Sequence, residues 1–335
     1  MKRIILKTIV AAAALAAFGV ASAQAIGEHT LKLTTQNPKG HPIVMGMEKF
    51  AELVTAKSGG KMKVNLFPGG VLGGDAPVLS AMQGGTIEMA VMNSSYLAGQ
   101  VKEFAVYDFP FMFSSSKQAD SVVDGPFGKQ MHAKLDAKGL IGLSYWELGF
   151  RNISNNKRPI NKVEDIAGLK LRVIPTPINV DWVKTLGANP TPMTFGEVYS
   201  ALEQGAIDGQ ENPVTVIAAN KLHEVQKYLT LTNHQYNPQS VLISKKFWDS
   251  LNVSEKKVLS DAAVEATGYQ RQQARLQATT ALEVVKKGGM QVTELPPAEL
   301  EKMREKMRPV IAKFGVSVGQ DTVKDLQDAL AKAPK

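Results

Sequence analysis

The chain has 335 residues, of which 44% are hydrophobic and 21% charged, a composition typical of a folded protein large enough for two domains. It contains no cysteine, which excludes disulfide bonds, thiolate metal sites, a cysteine nucleophile and a lipoprotein anchor. The formal net charge is +8 at neutral pH.

The first 23 residues have the pattern of a secretory signal peptide. Lys2, Arg3 and Lys7 precede an apolar run from Ile9 to Ala21, and Ala21-Ser22-Ala23 offers small residues for cleavage. The run is too short to cross a hydrocarbon core that needs about 20 apolar residues, so a membrane anchor is the weaker alternative. Removing the three basic residues lowers the net charge from +8 to +5. That surplus suits anionic ligands and lacks the clustered basic face that nucleic acid requires.

The first part of the mature chain alternates predicted strands and helices. Periodicity predicts strands at Thr30–Thr35, Lys61–Phe67 and Ile87–Met92, and helices at Pro42–Lys57 and Asp75–Met82. A β-α-β-α-β order is typical of a largely parallel sheet with helices packed against it.

The middle of the chain repeats this alternation. Strands are predicted at Ile141–Glu147, Leu169–Ile174 and Val241–Ser244, and helices at Asn179–Leu186 and Gly196–Glu203. An α/β fold is therefore expected throughout.

A weak internal echo links the two parts. Ser80–Glu88 and Ser200–Asp208 both predict a helix that ends at a glycine and is followed by a strand. The echo indicates either two similar α/β lobes or the ordinary chemistry of a helix-to-strand connection.

The segment Ser254–Lys287 predicts an unusually long helix, with no proline, a serine cap and a stop at Gly288-Gly289. About 34 residues would extend for roughly 50 Å, which favours one helix that spans both lobes. Two helices broken near Gly268 are the alternative. A strand at Gln291–Leu295 and a helix at Glu299–Phe314 follow.

Two arginines are candidates for holding an anionic ligand. Arg172 lies near the end of a predicted strand, and Arg151 follows Gly149-Phe150. A guanidinium can give a carboxylate two parallel hydrogen bonds, although an arginine on a strand is also typical of a solvated face.

Asp208-Gly209-Gln210-Glu211-Asn212-Pro213 is the densest polar cluster, and its composition also predicts a plain turn. The Asn212 amide would suit a ligand that carries both a carboxylate and hydroxyls. Trp146 and Phe195 could form the walls of such a site or simply pack in the core. Glu147 and Glu211 could instead form the carboxylate pair of an exported glycoside hydrolase.

Several stretches in series resemble TRAP transporter substrate-binding proteins of the DctP type. The matching segments are Gly149-Phe150-Arg151-Asn152, Leu169-Lys170-Leu171-Arg172-Val173, Gly187–Met193, Phe195-Gly196-Glu197-Val198-Tyr199, Asp208–Pro213 and Tyr228–His234. They occur in the same order over essentially the whole mature chain.

The resemblance implies a two-lobe periplasmic binding protein fold, with hinge-linked α/β domains and a long helix spanning both. We expect domain I at residues 24–148 with 238–278, and domain II at residues 149–237 with 279–335. It implies a periplasmic, monomeric receptor without cofactor or metal. Such a receptor delivers a small organic acid to the membrane permease subunits of an ion-driven transporter.

The resemblance also suggests roles for particular residues. Arg172 matches the main carboxylate-binding arginine, Arg151 a second pocket arginine, Asn212 the pocket asparagine and Phe195 an aromatic lining residue. Further polar candidates, less closely tied to motifs, are Asn37, His41, Asp75, Asn93, Ser94, Tyr96 and Glu147. Neutral and acidic groups beside two arginines favour a sugar acid, while a C4-dicarboxylate, an aromatic acid and a role as a sensor's binding partner stay open.

Overall fold

A computed structural model describes residues 24–334, so the predicted signal peptide lies outside the described residues. The strands are β1 (His29–Thr34), β2 (Met62–Phe67), β3 (Met89–Asn93), β4 (Leu140–Asn155), β5 (Lys170–Val173), β6 (Asn189–Pro192), β7 (Gly209–Asn212), β8 (Tyr228–Ser244) and β9 (Gln291–Glu294). The helices are α1 (Pro42–Lys57), α2 (Asp75–Gly84), α3 (Ser116–Asp124), α4 (Pro126–Ala133), α5 (Pro177–Thr185), α6 (Val198–Glu203), α7 (Val214–Ala219), α8 (Lys245–Ser250), α9 (Val253–Lys287), α10 (Pro297–Val318) and α11 (Gln320–Lys332).

The strands form one mixed sheet in the order β2-β1-β3-β8-β4-β7-β5-β6, with β9 paired to β8. β1 pairs parallel with β2 and β3, and β5 pairs parallel with β6 and β7. The long strands β4 and β8 are antiparallel to each other, β4 is antiparallel to β7 and β8 to β3, and β9 pairs parallel with β8. The expected parallel pairing is confirmed within each group of three strands and wrong for the two strands that join the groups. We call β1–β3 with α1 and α2 the first lobe, and β5–β7 with α5–α7 the second lobe.

The internal echo marks the same position in both lobes. Gly85 ends α2 and Gly205 follows α6, both at positive φ, and each donates a backbone hydrogen bond to the residue three positions earlier. The next strand then joins its lobe by parallel pairing, β3 with β1 and β7 with β5. The equivalent placement favours two similar α/β lobes over a coincidence of local chemistry.

The predicted long helix is present as α9, whose 35 residues extend about 52 Å. It is continuous through Gly268, so the two-helix alternative is wrong. Its cap is Asn252 rather than the predicted Ser254, because the Asn252 side chain accepts from Glu255 N and the Glu255 carboxylate accepts from Asn252 N. The helix packs against α1 in the first lobe and α7 in the second.

The buried hydrophobic side chains of the described chain form three clusters. One lies between α1, α9 and the first-lobe strands, one reaches from α2 through α3 and α4 to α5 and α10, and one surrounds α6, α7 and the end of α9. Among residues 24–334, no helix is long and apolar enough to cross a membrane.

Candidate functional site

The carboxyl ends of strands from both lobes meet around a cavity. It contains about 440 Å³ free of protein atoms, part of it open to solvent. Strand ends of α/β sheets are a common place for ligands. The lining residues are Thr35, Gln36, Asn37, Asp75, Val91, Met92, Asn93, Tyr96, Leu148, Arg151, Arg172, Ile174, Phe195, Asn212, Val216 and Gln239.

Arg172 is buried on β5, with 1% of its surface exposed, rather than on a solvated strand face. Its Nε and Nη2 atoms both donate to the Met193 carbonyl, at 3.1 and 2.9 Å. The guanidinium carbon lies 5.8 Å from the centre of the Phe195 ring, within the range of a cation–π contact. Burial lowers the pKa of Arg172, but a guanidinium stays protonated in proteins.

The remaining hydrogen-bonding capacity of Arg172 is directed along one edge. A guanidinium has five N–H donors, and the Met193 carbonyl occupies the Nε–Nη2 edge. The Nη1–Nη2 edge is left, which matches the two oxygens of a carboxylate. Within the described chain, no carboxylate forms an ion pair with Arg172, whereas Glu211 does so with Arg151.

Arg151, on β4, is already neutralised. Its Nε and Nη2 atoms donate to the Glu211 carboxylate, Nη2 also donates to the Glu211 carbonyl, and Nη1 donates to Asn237 Oδ1 at 2.7 Å. Burial alone would raise the pKa of Glu211, but the charge and hydrogen bonds of Arg151 and the nearby His234 ring, 3.3 Å away, lower it to about 2. Arg151 therefore retains little donor capacity for a ligand.

Asn212 ends β7 and is oriented by a chain of buried hydrogen bonds. Its Nδ2 donates to Gln210 Oε1 at 2.5 Å, Gln210 donates to Ser154, and Ser154 donates to Gln226. The composition of Asp208–Pro213 predicts a turn, but in the structure Gly209–Asn212 form β7, a central strand between β4 and β5. Gly209 is required there, because a Cβ atom would lie 2.1 Å from the Ser154 carbonyl oxygen.

The first-lobe side of the cavity carries polar groups with spare capacity. Asn93 Oδ1 accepts from Ser95 N at 3.1 Å, while its Nδ2 and Gln239 Nε2 are buried without a hydrogen-bond partner among residues 24–334. Asn93 and Gln239 are register partners on β3 and β8. Half-buried Asp75 begins α2, and burial raises its pKa to about 7 although the Arg172 charge opposes the shift.

The cavity thus brings together six of the nine principal candidates, namely Arg172, Arg151, Asn212, Phe195, Asn93 and Asp75, together with Asn37 and Tyr96. Trp146, Glu147 and His41 do not line it, and neither does Ser94, which hydrogen-bonds Ser240.

The three principal candidates outside the cavity have other partners. Trp146 is buried beside α9 and donates to Thr267 Oγ1 at 3.1 Å. The Glu147 carboxylate accepts from Ser116 and Arg275. Both side chains face helices rather than the cavity because β4 is covered by α9 and α3 at this point. His41 caps α1, and burial lowers its pKa to about 3.

Some lining residues lie outside the sequence-based prediction. Thr35, Gln36 and Gln239 are the polar ones, and Val91, Met92, Leu148, Ile174 and Val216 are apolar. Gln239 was hidden because only Val241–Ser244 carries a strand pattern, whereas β8 begins at Tyr228 and its polar middle is buried between neighbours. No local sequence signal marks Gln239, because its register with Asn93 exists only in the folded sheet.

Each of the two carboxylates of the glycoside hydrolase hypothesis already pairs with an arginine of the chain. Glu211 pairs with Arg151, and Glu147 pairs with Arg275 outside the cavity. Neither carboxylate lines the cavity, so the two do not face a common substrate there.

Comparisons with known proteins agree with this geometry. Residues 33–317 match the profile described as bacterial extracellular solute-binding protein, family 7. The 2,3-diketo-L-gulonate-binding periplasmic protein of Escherichia coli is 36% identical over 280 residues, 84% of each chain. The C4-dicarboxylate-binding periplasmic protein of Rhodobacter capsulatus is 33% identical over 297 residues, 88% of each chain.

A solved structure has the same architecture. The sugar acid binding protein of Advenella mimigardefordensis, in complex with galactonate, is 41% identical with a TM-score of 0.90, covering 92% of this chain and all of that one. These proteins are receptors rather than enzymes, so the hydrolase alternative is not favoured. The chain belongs to the bacterial extracellular solute-binding protein family 7, the receptors that bind small organic acids for TRAP transporters.

Proposed function

We propose that this receptor captures a sugar acid, a monocarboxylate that carries several hydroxyl groups, and binds its carboxylate on Arg172. The observation that carries the proposal is a buried guanidinium with one free edge and no carboxylate partner in residues 24–334. Arg151 would add at most its remaining N–H, and Phe195 would cover the ion pair from one side.

The opposite side of the cavity favours hydroxyl groups over a second carboxylate. Asn93 Nδ2 and Gln239 Nε2 can donate, while the Asp75 carboxylate can accept. A hydroxyl both donates and accepts, so it satisfies either kind of group. A second carboxylate would face the like charge of ionised Asp75, which disfavours a C4-dicarboxylate. Binding of galactonate by the Advenella protein is consistent with this choice.

Affinity would come from the ion pair together with several hydrogen bonds. Excluding water strengthens the attraction between the carboxylate and Arg172, but both ions lose their hydration. The hydrogen bonds from Asn212, Asn93 and Gln239 would offset that loss. A micromolar dissociation constant corresponds to about −8 kcal/mol, which one bidentate pair and a few hydrogen bonds can supply.

We also propose the expected division at residues 148/149 and 237/238 as the hinge. Glu147 pairs with Pro238 and Gly149 with Asn237, and the β4–β8 register shifts between these pairs. Gly149 has a φ of 113°, which favours glycine at this position. A bend here would move the lobes together around a ligand. Closure would present a monomeric periplasmic receptor to the permease in a shape different from the open form.

Isothermal titration calorimetry tests the ligand class. Galactonate should bind, galactose should fail because it lacks the carboxylate, and succinate should bind more weakly because it lacks the hydroxyls. Tighter binding of succinate than of galactonate would favour the C4-dicarboxylate alternative. A thermal-shift panel of other sugar acids would then identify the preferred stereochemistry.

A further inference from the structure

The orientation of Arg172 depends on a short segment, Met193–Glu197, which we call the support segment. Its Met193 carbonyl accepts both hydrogen bonds that Arg172 makes, and its Phe195 ring lies 5.8 Å from the guanidinium carbon. Movement of the support segment would therefore rotate the free edge of Arg172 away from a ligand.

On its N-terminal side, the support segment is weakly tied to the sheet. It continues from β6, the outermost strand, where Pro190 and Pro192 have no N–H group to donate. Met193 N reaches the Val173 carbonyl at 3.4 Å, a long hydrogen bond. The sheet alone thus fixes the Met193 carbonyl poorly.

On its C-terminal side, one carboxylate oxygen closes the segment into a tight turn. Glu197 Oε2 accepts from Thr194 N at 2.9 Å and from Thr194 Oγ1 at 2.6 Å. Both residues are exposed and neither lines the cavity. The hydrogen bonds with Thr194 also lower the pKa of Glu197. Thr194 and Glu197 lie on either side of Phe195 in the chain, and Thr194 directly follows Met193.

We propose that Thr194 and Glu197 are positioning residues for ligand binding, because the two hydrogen bonds that Thr194 donates to Glu197 hold the Met193 carbonyl and the Phe195 ring against Arg172. This inference rests on the proposed function, since it concerns how the carboxylate-binding edge is held. Glu197 acts as a hydrogen-bond acceptor and not through its charge. One oxygen accepts both bonds, so the single side-chain oxygen of glutamine can replace it.

The test compares Glu197→Ala with Glu197→Gln by calorimetry with galactonate and by thermal unfolding without ligand. Loss of a capping interaction should weaken galactonate binding about fivefold in Glu197→Ala. Glu197→Gln should stay within about twofold of the wild type, as expected for a surface change that keeps its hydrogen bonds.

A matched control exists in the same half of the chain. Asp165 closes the short helical turn Val163–Ile166 by accepting from Asn161 N and Lys162 N, at 3.0 and 3.1 Å, and it does not line the cavity. Asp165→Ala should lower the unfolding temperature about as much as Glu197→Ala and leave galactonate affinity unchanged. This control separates positioning of Arg172 from general loss of stability.

The outcomes separate the two proposals. Failure of the wild-type protein to bind any sugar acid would refute the proposed function and this inference with it. Wild-type affinity in Glu197→Ala, alongside galactonate binding by the wild type, would refute the inference alone. Equal weakening in Glu197→Gln and Glu197→Ala would assign the effect to charge and would also overturn it.

Discussion

The two arginines of the cavity have the same chemistry and opposite surroundings. Arg151 and Arg172 are both 1% exposed. Arg151 meets a carboxylate from its own chain, while Arg172 contacts the Met193 carbonyl and an aromatic face and forms no ion pair with a carboxylate of residues 24–334. The protein thus supplies the counter-ion for one buried charge, and we propose that a ligand supplies it for the other.

This difference assigns the two side chains different roles. Removing one partner of a buried ion pair is costly because the other charge stays without compensation. At Arg151 that cost would appear as loss of folding stability, whereas at Arg172 it would appear as loss of ligand affinity. The variants below separate these two effects, beginning with the largest.

Glu211→Gln should lower the free energy of unfolding by about 3–5 kcal/mol, because it leaves the Arg151 charge buried and unpaired. Urea denaturation at neutral pH measures this change. The low pKa of Glu211, about 2, lies below its ordinary 4.5, so the ionised carboxylate stabilises the fold above pH 4.5. This contribution should disappear as the pH falls toward 2, and the variant should lack that part of the acid sensitivity.

The control for Glu211→Gln removes both charges. Arg151→Met combined with Glu211→Gln should recover much of the lost stability, since a buried pair can often be replaced without penalty. A loss below about 1 kcal/mol in Glu211→Gln would contradict the pairing described here, because only exposed pairs contribute so little.

Arg172→Ala should weaken galactonate binding by about 2–5 kcal/mol, the cost of leaving a buried carboxylate without its partner. Arg172→Lys should also bind weakly, because a single ammonium group cannot reproduce the two parallel donors. Calorimetry measures both variants. Arg172→Met serves as the stability control, and its unfolding temperature without ligand should not fall, since no protein carboxylate loses a partner. Unchanged affinity in a folded Arg172→Ala variant would reject the assigned role.

The sequence predicted the second-lobe side of the cavity better than the first-lobe side. Arg172, Asn212 and Phe195 lie in segments whose order and composition match a family. Asp75 and Asn93 carry no such motif, and Gln239 was missed because β8 has no alternating pattern in its buried polar middle. Local sequence periodicity locates strand ends well, but it cannot show which residues of distant strands pair with each other.

The differences between the sequence-based expectations and the structure have a common cause. Trp146 and Glu147 neighbour the proposed hinge in sequence, yet α9 and α3 cover them, and a contact between β4 and a helix more than 100 residues later cannot be inferred from local periodicity. The Asp208–Pro213 segment contains turn-forming residues, but tertiary packing makes it a central strand. Six of the eleven helices in residues 24–334 and the first-lobe strands were predicted to within a few residues, because caps and periodicity are local, whereas α3, α4, α7, α8 and α11 were not predicted.

Asp75→Asn should remove the pH dependence of ligand selectivity. The pKa of Asp75 is raised to about 7, so the carboxyl group gains charge as the pH rises through neutrality. As the pH rises from about 6 to about 8, the growing negative charge should weaken succinate binding. A sugar-acid hydroxyl can donate to the same carboxylate. Calorimetry with both ligands at the two pH values measures the ratio. A constant ratio in the wild type would contradict a role for Asp75 in rejecting a second carboxylate.

Of these variants, Gln239→Leu should have the smallest effect. It should stabilise the ligand-free protein and weaken ligand binding. Its Nε2 atom is buried without a partner in the described chain, so an apolar side chain of similar size should raise the unfolding temperature without ligand. The same change removes a donor for a ligand hydroxyl and should weaken galactonate binding by about 1 kcal/mol. Paired thermal-shift and calorimetric measurements separate the two terms. An equal loss of stability with and without galactonate would mean that Gln239 serves only the fold, and the first-lobe side would then lose its assigned part in recognition.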